Sequence, residues 1–220
     1  MSMSFEKDFL PEEFTALKLT SSFVNVTVAC GDSKTAHLVC SNVPEGSFAE
    51  IQEGVLVIEM KDKGLLDRLK QLAVVDAKCR LELPEKMLES FTEITGAGNS
   101  DLEGICCANA EIRSGAGNIV INGMTVKESI TLETGAGNTD ITEIKGGSLR
   151  SKSGAGNVSV AGELEALAVK SGTGNVNFEG NVYGEVKVEG GIGNTTLTLH
   201  GKPESISTHT GIGKVDVNYI

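Results

Sequence analysis

This sequence is poor in the residues that fill most globular cores. It has no tryptophan, two tyrosines and seven phenylalanines, so aromatics make up 4% of its 220 residues. A chain with so few large rings must pack medium-sized aliphatic side chains, which suits a long, thin core better than a wide one. Cations are in deficit too: 19 Lys and Arg against 30 Asp and Glu leave a net charge of -11. Affinity for nucleic acid rests largely on Lys and Arg contacts to phosphate, so no nucleic-acid partner is expected. An acidic membrane surface would repel the chain for the same reason. No run of about 18 apolar residues is present, so no membrane insertion is expected. The opening residues, MSMSFEKDFLPEE, lack a basic stretch followed by an apolar one, and no lipid-anchor pattern appears, so no secretory signal is expected. Five cysteines (Cys30, Cys40, Cys79, Cys106 and Cys107) are odd in number and irregular in spacing. With the missing signal they point to reduced thiols and a cytoplasmic location.

What is abundant is glycine, at 27 residues, with Val, Ile and Thr in short alternating runs. The glycines are ordered. A Gly-x-Gly-Asn tetrapeptide recurs at Gly96, Gly98, Asn99; Gly115, Gly117, Asn118; Gly135, Gly137, Asn138; Gly154, Gly156, Asn157; Gly172, Gly174, Asn175; and Gly191, Gly193, Asn194. A seventh copy, Gly211 and Gly213, carries Lys214 in place of Asn. The spacings are 19, 20, 19, 18, 19 and 20 residues, a period that marks a repeat architecture.

The flanks repeat as well. Three residues after the fourth motif position the side chain is always apolar: Leu102, Ile121, Ile141, Val160, Phe178, Leu197 and Val217. Five residues before the first glycine it is apolar again: Phe91, Ala110, Ile130, Leu149, Leu167, Val186 and Ile206. The residue just before the motif is small, and the one before that is mostly charged or polar. Alternation with period two on both sides of the motif is the signature of strands. In the first copy Glu93 and Ile94 look exchanged, which suggests a bulge or register shift there.

Each unit therefore reads as strand, Gly-x-Gly-Asn corner, strand and a looser third side, often with another glycine (Gly104, Gly123, Gly162, Gly180). One unit cannot bury its apolar side alone; stacking at about 4.8 Å joins the units around one narrow core. Glycine takes the sharp bend without Cβ strain, and Asn tolerates the left-handed region. Asn at the same place in successive units predicts an amide ladder running up the axis. The expected fold is all-β: a single-chain parallel β-helix, or β-solenoid, with about 19 residues per rung. Residues 1-89 are expected to form irregular β-rungs and a cap, and 90-220 the regular seven-repeat solenoid, continuous as one structural unit. Strands are expected at Phe14–Leu19, Phe23–Val28, Ala36–Val39, Val55–Met60 and Val74–Leu83. Leu65, Leu66, Leu69 and Leu72 fall at helical spacing and predict one short helical insertion near 61-73.

The run Cys79-Arg80-Leu81-Glu82-Leu83-Pro84, a short spacer, Thr95-Gly96-Ala97-Gly98-Asn99 and the serial Ser/Thr-Gly-x-Gly corners together resemble the bacterial "putative adhesin" β-strand-repeat domains of unknown function. The resemblance covers most of the chain and is strongest from Val74 to Ile220. It implies a single-chain β-helix, in agreement with the repeat. Many members carry a signal or a membrane anchor, and many have Asp where this chain has Asn after the second glycine.

The chemistry these residues could support is limited. Phosphate-binding glycine loops follow one strand and open a helix once per domain, whereas this motif recurs with strands after it. Calcium-binding β-rolls need Asp in the turn and a nine-residue period. Cys106-Cys107 lacks two further ligands at zinc spacing, and the pair reads as small buried hydrophobes. His37, His200 and His209 are isolated. Asp101, Asp140 and Asp216 occupy outward slots two residues after the corner but are interrupted by Val120, Ser159, Asn177 and Thr196. No catalytic, cofactor or metal site is therefore expected. The sequence points to a non-enzymatic, adhesin-like interaction or scaffold protein that uses solenoid faces or an open end to bind a protein or glycan partner, or itself. The alternatives are a carbohydrate-binding or carbohydrate-active β-helix using an acidic face, and a thiol sensor at Cys106-Cys107.

Overall fold

A computed structural model describes residues 2-61 and 76-220. The helical insertion expected near 61-73 falls almost entirely outside the described residues. From residue 87 the chain forms β8 (Met87–Ala97), β9 (Ser100–Glu103), β10 (Cys106–Ala116), β11 (Ile119–Asn122), β12 (Thr125–Ala136), β13 (Thr139–Ala155), β14 (Val158–Thr173), β15 (Val176–Val182), β16 (Glu185–Ile192), β17 (Thr195–Leu199), β18 (Ser205–Ile212) and β19 (Val215–Tyr219). Two parallel rows result. The row before the corner runs β8, β10, β12, the later parts of β13 and β14, then β16 and β18. The row after it runs β9, β11, the early parts of β13 and β14, then β15, β17 and β19. Leu102 lies beside Ile121, Ile121 beside Ile141, and Ile141 beside Val160. Successive repeats thus stack as a β-solenoid of about 7 turns of roughly 19 residues.

The core is a strip one rung deep per layer. Phe91, Ala110, Ile130, Leu149, Leu167 and Val186 are buried from one side, and Leu102, Ile121, Ile141, Val160, Phe178 and Leu197 from the other. Burying each of the larger of these side chains contributes about 1.5–3 kcal/mol. Only stacking achieves it, because a lone rung leaves both edges of its strip in water.

The corner is tight for a reason beyond backbone φ. A Cβ on Gly115 would lie 2.4 Å from the carbonyl oxygen of Gly96 on the rung below. The second glycine is doubly constrained: Gly137 has φ +135°, and a Cβ there would lie 2.1 Å from the Gly117 oxygen. Corners stack with their backbones in contact, so neither glycine tolerates a side chain.

The N-terminal third adds a further rung that the repeat alone does not announce. β2 (Ala16–Ser21) and β3 (Asn25–Gly31) lie under β8 and β9, with Ser21 opposite Thr95 and Val26 opposite Ser100. Their corner, Ser21-Ser22-Phe23-Val24-Asn25, has Ser22 and Val24 where later corners have glycine. The rung below is β6 (Val55–Met60) and β7 (Lys78–Pro84), where Ser22 N–H donates to the Met60 carbonyl and Asn25 N–H to that of Ala77. The order in space is therefore β6/β7, β2/β3, β8/β9. At this end the rows continue in antiparallel strands: β5 (Phe48–Gln52) on β6, and β4 (Ala36–Pro44) on β7 with β1 (Ser2–Phe9) outermost. The expected strands at Ala36–Val39 and Val55–Met60 are present, the first longer than foreseen; the strand expected from Val74 begins, among the described residues, at Lys78.

The bulge expected at Glu93-Ile94 is corrected. β8 pairs with β10 in unbroken register through Ser90 to Thr95. Glu93 occupies an ordinary inward slot between Leu19 below and Ile112 above, and Ile94 faces outward.

Candidate interaction surfaces

The corner residues named from the sequence come together as one ridge along the solenoid. Each Asn side chain accepts, through Oδ1, the backbone N–H of the equivalent residue one rung on. Asn25 serves Asn99, Asn99 serves Asn118, and so on through Asn138, Asn157, Asn175 and Asn194 to Lys214, at 2.9–3.0 Å. The expected ladder exists, but it links side chain to main chain, not amide to amide. The Asn side chains are exposed, so the ridge is structural and water-facing. Lys214 has no carbonyl in its side chain, so the ladder stops with it.

The outward faces differ in charge. On the row after the corner the regular rungs carry Asp101, Glu103, Asp140, Glu179 and Asp216, with no Lys or Arg among the outward positions. Val120 sits between Asp101 and Asp140 in register, and Ser159 follows. The structure therefore separates the acidic residues singled out in the sequence and forms no carboxylate pair from them.

On the row before the corner Arg113 is matched by Glu111 at 2.6 Å and Glu133 at 3.5 Å. Further along, the balance changes. Lys152 stands beside Lys170, and Arg150 and Lys187 flank Ala168. Two adjoining depressions, of about 290 Å³ and about 380 Å³, share Arg150, Ala168 and Lys187. They form one shallow trough along β14. Ala166, Ala168 and Lys170 are its floor, Ser148, Arg150 and Lys152 one wall, and Glu185, Lys187 and Glu189 the other. Glu189 takes Lys170 at 3.3 Å and Lys187 at 3.0 Å, and these hydrogen bonds hold its carboxyl below the usual range. Arg150 and Lys152 form no ion pair among the described residues, although Glu133, which Arg113 engages, stands in register beside Lys152. Sequence reasoning missed this site. Its signal was available: laid rung on rung, the cations fall at equivalent places in successive repeats.

The sequence pattern of one family, Toastrack DUF4097, matches residues 14–219. The chain belongs to the Toastrack DUF4097 family. No curated protein matches it in sequence. Among solved structures it is similar to a "putative adhesin" from Bacteroides fragilis, at 13% identity and TM-score 0.52, over 100% of this chain and 98% of that one. It is also similar to a "putative lipid binding protein" from Parabacteroides distasonis, at 14% identity and TM-score 0.54, over 99% and 96%. A "putative cell adhesion protein" from Clostridium sporogenes aligns at 13% identity and TM-score 0.40 over 100% of each chain. At such identities the likeness is one of fold.

Inside this Toastrack solenoid the most unusual residue is Glu93. It is fully buried, and burial pushes its pKa up to about 7 against the lowering effect of two hydroxyls. Ser100 Oγ donates to Oε1 at 2.6 Å and Thr95 Oγ1 at 3.2 Å, while Oε2 has no partner among the described residues. Thr95 belongs to a column of small buried residues inside the corner: Ser21, Thr95, Ser114, Thr134, Ser153 and Ser171.

The Toastrack chain gathers its five cysteines in two places. Cys40 and Cys79 oppose each other across β4 and β7, both buried, and Cys79 is held well above the ordinary thiol range by its hydrogen bond to Cys40 and by burial. Cys30 lies near Cys106 and Cys107; burial pushes Cys30 up to about 11 and Cys107 up to about 12. The raised thiols of Cys30, Cys79 and Cys107 are poor nucleophiles at neutral pH, which suits a packing role for these three. Of the histidines, His37 bonds Asp8 at 2.8 Å on the surface, while His200 lies 3.8 Å from Glu179. Neither meets a nucleophile in these contacts. On the last described rung the inward residues Ile206 and Val217 are only half-buried, and Ile212, Tyr219 and Ile220 are exposed.

Proposed function

We propose that this Toastrack-family chain is a non-enzymatic, adhesin-like interaction protein that meets its partner through the outward faces of its solenoid. One observation carries the reading. Both faces are long parallel rows in nearly continuous register, whose backbone groups are consumed between rungs, so the face displays ordered side chains on a rigid lattice. Such a lattice presents many weak contacts at a fixed spacing of about 4.8 Å, which is useful for holding a repetitive or extended partner. The likeness of fold to the Bacteroides "putative adhesin" supports the same reading.

Among the described residues β18 and β19 are paired on one side only and leave Ile206 and Val217 half-buried; such a strand edge invites a second strand, which supports self-association as one mode of this binding. Light scattering over a wide concentration range tests it: a growing mass with concentration is expected, and a strict monomer throughout removes this mode. The wider reading is tested with a glycan array and with capture of protein partners by the immobilised chain. Saturable binding to either is expected. Turnover of a glycan substrate by the purified chain would overturn the non-enzymatic reading and favour the carbohydrate-active alternative.

A further inference from the structure

We propose that the trough along β14 is a binding site for a linear acidic polysaccharide, one that carries carboxylate or sulfate groups. The proposal rests on the reading that a solenoid face is the binding surface, and it names the place and the partner chemistry.

The first ground is electrostatic. In parallel register, neighbouring rungs place equivalent side chains about 4.8 Å apart. Lys152 and Lys170 are such neighbours, and Arg150 and Lys187 face each other over Ala168. Like charges held side by side weaken a sheet. Elsewhere on this row the cation Arg113 is neutralised by Glu111 and Glu133. In the trough one carboxylate, Glu189, serves both Lys170 and Lys187. Arg150 has Thr131 as its other register neighbour, and Lys152 has Glu133, which is shared with Arg113, so neither Arg150 nor Lys152 makes an ion pair among the described residues. An anion seated against the Arg150-Lys152 wall removes this repulsion. The site is positive in a chain whose net charge is -11, so its charge is local and specific in position.

The second ground is shape. The trough is two rungs wide, about 10 Å between walls, and three outward residues long, about 14 Å. That admits a single extended chain and excludes a duplex. Two of its three floor positions are methyl groups, Ala166 and Ala168, flat enough for the apolar face of a sugar ring, and the third is the cation Lys170. Glu185 and Glu189 lie on the far wall, so the anionic groups of the ligand align along the β13 wall.

The third ground is what the trough does not offer. A docked peptide draws affinity from a free sheet edge or from a pocket for an apolar anchor. Here the floor strand is paired on both sides, by β13 and β16, and the floor is two alanines and a lysine, with no apolar pocket. Single-stranded nucleic acid is held by aromatic stacking platforms, and none lines the trough. A partner recognised by regularly spaced charge over a plain floor is a polyanionic sugar chain.

The test uses the full chain with polygalacturonate (carboxylate), dextran sulfate (sulfate) and plain dextran, measured by biolayer interferometry at low salt and again in 0.5 M salt. Binding to at least one polyanion, none to dextran, and loss of binding in high salt are expected. R150Q/K152Q should weaken binding by about tenfold with the melting temperature unchanged. K127Q/K145Q, the same charge loss on the third side of the solenoid, should leave binding as it is. Binding of polygalacturonate alone assigns carboxylate chemistry, and of dextran sulfate alone sulfate chemistry. No polyanion binding, or equal loss in the two double variants, overturns the site. Tighter binding of a single-stranded oligonucleotide overturns the partner class. A glycan or protein partner whose binding survives R150Q/K152Q overturns the trough while leaving the interaction reading intact.

Discussion

At Glu93 a carboxyl group occupies a row otherwise continued by Leu19 and Ile112, and its stability consequence has a definite sign. Its folded pKa is raised to about 7 from an ordinary value of 4.5. Below about 4.5 the group is protonated in both folded and unfolded chains and costs nothing extra. Between the two values the folded chain holds a proton that the unfolded chain has released, so stability falls as pH rises, and above about 7 the full penalty stands. That penalty is on the order of a few kcal/mol. Glu93→Gln should therefore raise the melting temperature at pH 8 while changing it little at pH 4.5. An equal effect at both pH values would contradict the burial of an ionisable group. The sequence marks Glu93 only as a break in alternation. Polarity is a good guide to which residues face inward, but two neighbouring hydroxyls and the stacking above and below hold this carboxyl inside against that guide. At Gly137 two constraints coincide, positive φ and a carbonyl 2.1 Å from any Cβ. Gly137→Val should cost about 2 kcal/mol or more by thermal or urea unfolding. Gly31→Ala, where a Cβ meets nothing within 4 Å, is the matching control, expected to stay within about 0.5 kcal/mol.

The corner ladder acts at the level of the element, since each Asn belongs energetically to the rung after its own. Asn138→Ala removes the acceptor for the Asn157 N–H. The expected cost is about 0.5–1.5 kcal/mol. Hydrogen exchange checks it: the Asn157 amide should exchange faster, with that of Asn138 itself unaffected because Asn118 still serves it. Asn138→Asp keeps an acceptor oxygen and should largely preserve the protection. Rungs of this kind are legible in sequence because three local signals agree: period-two alternation, small residues at the bend, and glycines at a constant interval. β1 and β5 are not legible. Each is a short strand whose partner is antiparallel and set by the chain's path, and nothing within Ser2–Phe9 or Phe48–Gln52 names that partner. The corner at Ser21–Asn25 escapes notice because it lacks both glycines, with Ser22 and Val24 in their places. Its surviving signals are the small Ser21 and the Asn25 acceptor.

Across the whole molecule, stability is close to a sum of rungs and the interfaces between them. Among the described residues, rungs in the middle have two neighbours, whereas the rung of β18 and β19 has one and keeps its inward Ile206 and Val217 half-exposed. Amide exchange should accordingly be slowest from β8 to β16 and fastest in β18 and β19, with an opening free energy near zero at the last strand. Uniform protection along the chain would show that the solenoid opens as a single cooperative unit. The trough on β14 is a property of this scale as well. None of its four cations is notable in its own segment, and only stacking the repeats at their true register brings them to one place.

The spatial order β6/β7, β2/β3, β8/β9 bears on how the protein emerges from a ribosome. Residues 16 to 31 are made early, yet both of their neighbours are made later: β6 and β7 on one side, β8 and β9 on the other. Growth of the solenoid cannot simply follow synthesis from the first residue. The early strands must wait, or pair provisionally, until the chain has been extended past Glu103, and only then can later repeats be added one at a time. This end of the solenoid is in this sense assembled by insertion, and the regular repeats by deposition.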